Sequence, residues 1–177
     1  MRQGLASGIV WRMRKTIIGV MGPGDGATTQ DLALAKELGR LIAERGWVLL
    51  TGGRSAGVME AASKGAKEAG GMTIGILPFK DFDAAKTSAF VDIPIMTGMG
   101  EARNAINVLS SQVVLVCGLG SGTASEVALA LKANRPVVLV APTQQTIDFF
   151  RSLGDPFRVA EVASQAIQAV EQLLAMR

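Results

Sequence analysis

The stretch VVLVCGLGSGTASE, residues 113–126, begins with a β-branched apolar run and continues through three glycines. It then opens an Ala/Leu-rich segment that ends near Lys132. The apolar run predicts a buried strand, and the residues from Ala124 onward predict a helix. At such a junction the free N–H groups and the positive end of the helix dipole converge, while glycines allow a ligand to approach the backbone. We therefore expect the loop 120–123 to bind a phosphate.

Two other glycine turns strengthen this expectation, because the loop alone matches neither the nucleotide P-loop nor the dinucleotide fingerprint. The sequence GPGDG at 22–26 follows the apolar run 17–21, and GGRSAG at 52–57 follows the run 48–51. In an open parallel sheet such turns meet at the carboxyl edge, where ligands bind.

The remaining chain alternates apolar runs with amphipathic segments. We expect strands at 17–21, 47–51, 72–77, 91–96, 113–117 and 136–140, and helices at 29–45, 58–69, 101–111, 124–132, 146–153 and 159–176. In the helix 101–111 we expect Ala102, Ile106 and Leu109 to face the core, with Arg103 and Asn107 on another face. Uniformly apolar strands that alternate with helices predict an α/β fold, an open and mostly parallel sheet of six or seven strands covered on both faces.

Composition limits both the domain organisation and the chemistry. We expect residues 15–177 to form one ligand-binding domain and residues 1–14 to be a disordered extension, with a remnant of an organelle-targeting segment as the alternative. The net charge of +3 arises from residues 1–15, because residues 16–177 contain 14 basic and 15 acidic side chains. We therefore expect no nucleic-acid partner.

Cysteine and histidine usage narrows the function further. The chain has one cysteine and no histidine, which excludes an intramolecular disulfide and every nucleophile that depends on histidine, and argues against a metal site. No apolar run reaches the roughly 20 residues needed to cross a bilayer. We expect a cytoplasmic protein without a membrane partner.

Four kinds of side chain are candidates for ligand contact. Glu126 either forms a capping box with Thr123 or reaches a ligand hydroxyl from inside the helix. Arg103, directly after a glycine turn, is either a solvated helix residue or a phosphate contact, and Arg54 has the same two interpretations. Ser55, Ser121 and Thr123 are hydroxyl donors or simply turn residues. The expected binding residues are Gly22, Gly24, Gly53, Arg54, Ser55, Arg103, Gly120, Ser121, Gly122, Thr123 and Glu126.

The motifs TGGRSAGVM at 51–59, Arg103-Asn104 and GSGTASE at 120–126 resemble signatures of the superfamily once labelled lysine-decarboxylase-like. Its "lonely guy" phosphoribohydrolases cleave nucleoside monophosphates, and that resemblance would make Arg103 and Glu126 catalytic. This chain departs from their pattern, since Asn104 stands where they have lysine and Gly118-Leu119 where they have Pro-Gly.

The stretches IGVMGPG at 18–24, LLTGGRS at 49–55, LSS at 109–111 and GTASEVALALKA at 122–133 look like the molybdenum cofactor carrier proteins of algae and cyanobacteria. This resemblance implies a Rossmann-like homodimer or homotetramer without catalytic residues. It also implies that the molybdenum cofactor, a molybdopterin, is the bound ligand, and that molybdoenzymes or cofactor-synthesis proteins are the transfer partners. The phosphoribohydrolase remains the alternative.

Overall fold

The computed structural model describes residues 14–154 and 156–176, so that the expected extension lies outside it apart from Arg14. Within these residues, seven parallel strands form one sheet in the order β4-β3-β2-β1-β5-β6-β7. Their bounds are β1 Ile17–Met21, β2 Val48–Thr51, β3 Met72–Leu77, β4 Ile93–Met96, β5 Val113–Cys117, β6 Val137–Val140 and β7 Arg158–Ala160. The predicted open parallel sheet is confirmed.

In the part of the chain that the structure describes, six α-helices cover the two faces of the sheet, which gives three layers. Their bounds are α1 Thr29–Glu44, α2 Gly57–Glu68, α3 Asn104–Ser110, α4 Ser121–Lys132, α5 Gln144–Arg151 and α6 Ala163–Ala175. One hydrophobic core lies under α1, α2 and α6, and a second lies under α3, α4 and α5. Within the described ranges, no helix is long and apolar enough to cross a membrane.

Helices α1 and α2 pack unusually closely. A side chain at Gly39 would overlap the carbonyl of Ala62, and one at Gly65 would overlap the carbonyl of Lys36. The two glycines therefore allow the backbones of α1 and α2 to touch.

The last predicted helix was placed too early. Residues 158–160 form the edge strand β7, and the helix begins only at Ala163. Val159 and Val162, which the predicted helix 159–176 included, are 39% and 49% exposed. Three residues are too few for a strand periodicity to be visible in the sequence, so the segment was absorbed into the helical pattern.

The predicted core face of the helix 101–111 is confirmed at Ile106, which packs against the second core, but is wrong at Ala102 and Leu109. Residues 100–103 form a 3₁₀ turn that leads into α3, Ala102 is exposed, and Leu109 is 55% exposed. The buried side of this segment instead includes Arg103, Asn104 and Asn107. Hydrophobic periodicity gave the wrong face because these polar side chains bond to α4 or line a cavity.

The strand order places β1 at the centre of the sheet. From β1 the chain adds β2, β3 and β4 on one side and then returns to add β5 on the other side. Ligands of open α/β sheets bind at such a switch point, in the crevice outside the carboxyl ends of the strands. The loops after β1, β2 and β5 all lie at this edge and line one cavity, as the sequence predicted.

Candidate functional site

A cavity of about 540 Å³ opens at the carboxyl edge between β1 and β5. Its volume lies within the roughly 300–1,000 Å³ that is typical of small-molecule sites. The structure brings nine of the eleven predicted residues to its wall, namely Gly22, Gly24, Arg54, Arg103, Gly120, Ser121, Gly122, Thr123 and Glu126. Gly53 and Ser55 lie outside this lining.

The loop after β5 is shorter than predicted, because α4 begins at Ser121 with Gly120 as its N-cap. The predicted capping box of Thr123 and Glu126 is therefore wrong, since both residues lie inside the helix. Gly120 has no side chain that could cap the helix, so the first N–H groups of α4 are left for solvent or a ligand. A side chain at Gly122 would meet nothing within 4 Å, so that open space adjoins the backbone there.

Arg103 supplies the buried positive charge of the cavity. The side chain is 5% exposed and runs beside Gly52, where any added Cβ would overlap the guanidinium. Its Nε and Nη1 have no hydrogen-bond partner, and no carboxylate lies within 4.0 Å, among the residues that the structure describes. Burial lowers the pKa of Arg103, although the negative charge of Glu126 opposes this shift. The site thus holds a desolvated cation whose donors are available to an anion.

Glu126 lies in the same wall and is 6% exposed. Asn107 donates from Nδ2 to Glu126 Oε1 at 2.7 Å. Burial raises the pKa of Glu126 to about 7, and both the Asn107 hydrogen bond and the charge of Arg103 act against that rise. The carboxyl group is therefore divided between its neutral and ionised forms near neutral pH.

A second asparagine bonds α3 to α4. Asn104 donates from Nδ2 to Ser125 Oγ at 2.9 Å, and Ser125 Oγ donates to the carbonyl of Gly122 at 2.7 Å. The sequence reasoning missed Asn104 and Asn107 as functional side chains. The available signal was their spacing with Arg103 and Ser111, which places four polar residues on one side of the segment.

The glycine loop after β2 contributes Arg54 to the cavity, whereas its neighbours face the segment 79–90. Arg54 Nη2 lies 3.8 Å from a carboxylate oxygen of Asp25. Ser55 donates from Oγ to the carbonyl of Ala85 at 2.9 Å, and the carbonyl of Gly53 accepts from the N–H of Ser88 at 2.9 Å. Gly53 and Ser55 thus connect the loop to the segment that supports it.

Comparison with known proteins gives a consistent group of relatives. The sequence model of the SLOG cluster4 family matches residues 15–169. The molybdenum cofactor binding protein from the phototrophic bacterium Rippkaea orientalis is 53% identical, with a TM-score of 0.88, over 92% of this chain and 99% of that structure. The Moco carrier protein from Chlamydomonas reinhardtii is 55% identical, with a TM-score of 0.86, over 93% and 100%. The resemblance to carrier proteins that the sequence predicted is confirmed.

A more distant relative represents the enzymes. The cytokinin riboside 5′-monophosphate phosphoribohydrolase of Mycobacterium tuberculosis is 32% identical over 117 residues, and the match covers 63% of each chain. The similarity to this enzyme is therefore lower, and covers less of the chain, than the similarity to the cofactor-binding structures.

Proposed function

This chain belongs to the SLOG cluster4 family, and we propose that it binds the molybdenum cofactor, protects it and transfers it without chemical change. The observation that carries the proposal is the buried Arg103 guanidinium, whose donors have no partner among the described residues, in a cavity built from glycine turns. The cofactor assignment rests on the two structures that are named for this cofactor and are 53% and 55% identical.

The residues present fit the phosphate end of such a ligand. The Nε and Nη1 groups of Arg103 can donate charge-assisted hydrogen bonds to phosphate oxygens, and so can the first N–H groups of α4, which begins in the lining of the same cavity. Open space beside Gly122 leaves room for the anion. The cofactor is cargo in this proposal, so the protein has to bind its ground state tightly and shield it from water.

One feature favours carriage over hydrolysis. Asn104, which is neutral, bonds to Ser125 in place of the lysine of the enzymes that the motifs resemble. A lysine at this position could offer positive charge to the phosphate or a proton to the departing base, and Asn104 offers neither.

Phosphoribohydrolase activity is the second candidate, and one observation supports it. A carboxyl group with a pKa of about 7, in the same cavity as an arginine, suits general acid–base catalysis near neutral pH. In that case Arg103 and Glu126 would be the catalytic residues.

The test measures both activities on one preparation. The purified protein should retain molybdopterin from a cofactor-rich extract, slow its oxidation and load an apo molybdoenzyme. The same protein should release no free base from AMP or from cytokinin riboside monophosphates. Base release that Glu126→Gln abolishes, together with failure to retain the cofactor, would overturn the carrier in favour of the hydrolase.

We also propose that the carrier acts in the cytoplasm as a homodimer or homotetramer and delivers its cargo to molybdoenzymes or cofactor-synthesis proteins. The exposed Leu109 on α3 and Leu129 on α4 offer apolar surface for self-association. Light scattering at micromolar concentration should show more than one chain, and a monomer would contradict the assembly.

A further inference from the structure

A second cavity of about 370 Å³ opens at the same edge of the sheet, on the β6 side of the first. It lies between the start of α1 and the loop that follows β6. The two cavities share Gly26 and Leu119 in their walls, so they are direct neighbours. A side chain at Gly26 would meet nothing within 4 Å, which leaves open space at the shared wall.

The two cavities differ in charge. Arg54 and Arg103 both line the first cavity, whereas the described lining of the second contains no basic residue. Buried apolar residues, among them Leu139 and Val140, contribute to the second cavity, together with uncharged polar residues such as Gln30 and Thr146. Such a lining disfavours a phosphate but suits a flat neutral heterocycle, which has apolar faces and a polar edge.

Asp31 is the only charged residue in the described lining of the second cavity. Its Oδ2 accepts from the N–H of Thr28 at 2.9 Å and from Thr28 Oγ1 at 2.8 Å, and so completes the capping box of α1. Its Oδ1 accepts no hydrogen bond from the described part of the chain. One carboxylate oxygen is therefore committed to the fold, and the other remains available to a donor on a ligand.

We propose that the second cavity binds the pterin end of the cofactor, with Asp31 accepting hydrogen bonds from the amino-pyrimidinone edge, while the first cavity binds the phosphate end. This inference rests on the proposed function. A pterin presents an exocyclic amino group and a ring N–H side by side, and either group can donate to Asp31 Oδ1, the carboxylate oxygen that has no partner in the described part of the chain. The opening beside Gly26 gives one ligand a path between both cavities.

The first experiment uses 6-hydroxymethylpterin and inorganic phosphate as separate probes. In amide chemical-shift mapping, the pterin should perturb residues 28–31 and 143–146, and phosphate should perturb residues 120–123 without displacing the pterin. Asp31→Asn should weaken pterin binding roughly 10- to 100-fold, the effect of losing a hydrogen bond to a charged group, and should leave phosphate affinity unchanged. Asp83→Asn is the matched control, because Asp83 also caps a turn through the N–H of Ala85 but lines neither cavity.

The second experiment tests whether one ligand spans both cavities. Gly26→Leu should reduce retention of molybdopterin at least 10-fold, because the new side chain fills the open space that joins the two cavities. This readout keeps the inference testable if Asp31→Asn also destabilises α1.

Three outcomes would overturn the inference. In the first, the pterin competes with phosphate for binding. In the second, Asp31→Asn binds the pterin as tightly as the wild type does. In the third, Gly26→Leu retains as much molybdopterin as the wild type. If the wild type retains molybdopterin while any of these outcomes holds, the two-cavity arrangement fails and the carrier function stands. If the wild type retains no molybdopterin, the carrier function itself fails.

Discussion

Replacing Arg103 by methionine should weaken anion binding and stabilise the fold in the same variant. In the free protein the guanidinium is 5% exposed, and its Nε and Nη1 have no hydrogen-bond partner among the described residues. Methionine fills much of the same volume without a buried charge. The two effects have opposite signs because the ligand, and not the fold, is expected to supply the partners of Arg103.

Both magnitudes follow from these contacts. Hydrogen bonds to a charged group contribute about 1.5–3 kcal/mol each. Arg103→Met removes two donors whose contributions do not add fully, so we expect a loss of about 2–4 kcal/mol in binding free energy. This loss is a rise of roughly 30- to 800-fold in the Kd for phosphate or molybdopterin. Removing the unsatisfied buried groups should raise the free energy of unfolding by about 1–3 kcal/mol. For a chain of this size, each kcal/mol raises Tm by about 2–4 °C.

Isothermal titration with phosphate and thermal unfolding without ligand measure the two effects. Arg40→Met is the matched control, because Arg40 pairs with Glu37 and Glu44 on the surface of α1, away from the cavity. The control should bind phosphate like the wild type. If Arg103→Met bound phosphate as tightly as the wild type, or unfolded at a lower temperature, the reasoning about an unpartnered buried cation would be refuted.

Three further predictions concern Glu126, Gly122 and Gly65. Because the pKa of Glu126 is about 7 in the folded protein, above the ordinary value of 4.5, its contribution to stability is full below pH 4.5 and is lost as the pH rises through 7. Chemical denaturation at pH 4 and at pH 8 should compare the free energy of unfolding of Glu126→Gln with that of the wild type. The advantage of the variant should be about 3 kcal/mol larger at pH 8 than at pH 4. Equal differences at both pH values would contradict the raised pKa. Gly122→Val should weaken phosphate binding more than 10-fold while costing about 1 kcal/mol or less of stability, because its side chain enters open space in the first turn of α4; unchanged affinity in titration would place the anion elsewhere. Gly65→Val should lower the free energy of unfolding by about 1–3 kcal/mol, because the side chain would overlap the carbonyl of Lys36, and a wild-type Tm would show that α1 and α2 can separate freely.

The sequence was sufficient to predict the sheet, because its buried strands are apolar runs bounded by glycine or proline. The run 113–117 is fully buried in β5, and the glycines after it end the strand as expected. The edge strand β7 escaped prediction because residues 158–160 are only partly buried and too short to show a pattern. The information that makes this segment a strand lies in its pairing with β6, which is a tertiary interaction.

The site was predictable in its loops and less so in its side chains. Glycine turns after parallel strands imply a common edge through topology alone, and the structure places Gly22 and Gly120 in one cavity. The partners of Glu126 could not be inferred, because the bond from Asn107 depends on how α3 rotates against α4. Hydrophobic periodicity gave the wrong rotation, since this helix exposes Leu109 and buries two asparagines.

The contact between Gly52 and Arg103 has a consequence for the order in which substitutions can accumulate during evolution. A Cβ at position 52 would overlap the guanidinium of Arg103 and would also lie too close to Sδ of Met59, so both side chains have to shift before a larger residue fits. A Gly52→Ala change would therefore move the arginine from its present position in the cavity wall, whereas a shorter side chain at position 103 would leave only Met59 to shift. The two positions are therefore epistatic, and Gly52→Ala should cost less stability after position 103 has been shortened than before.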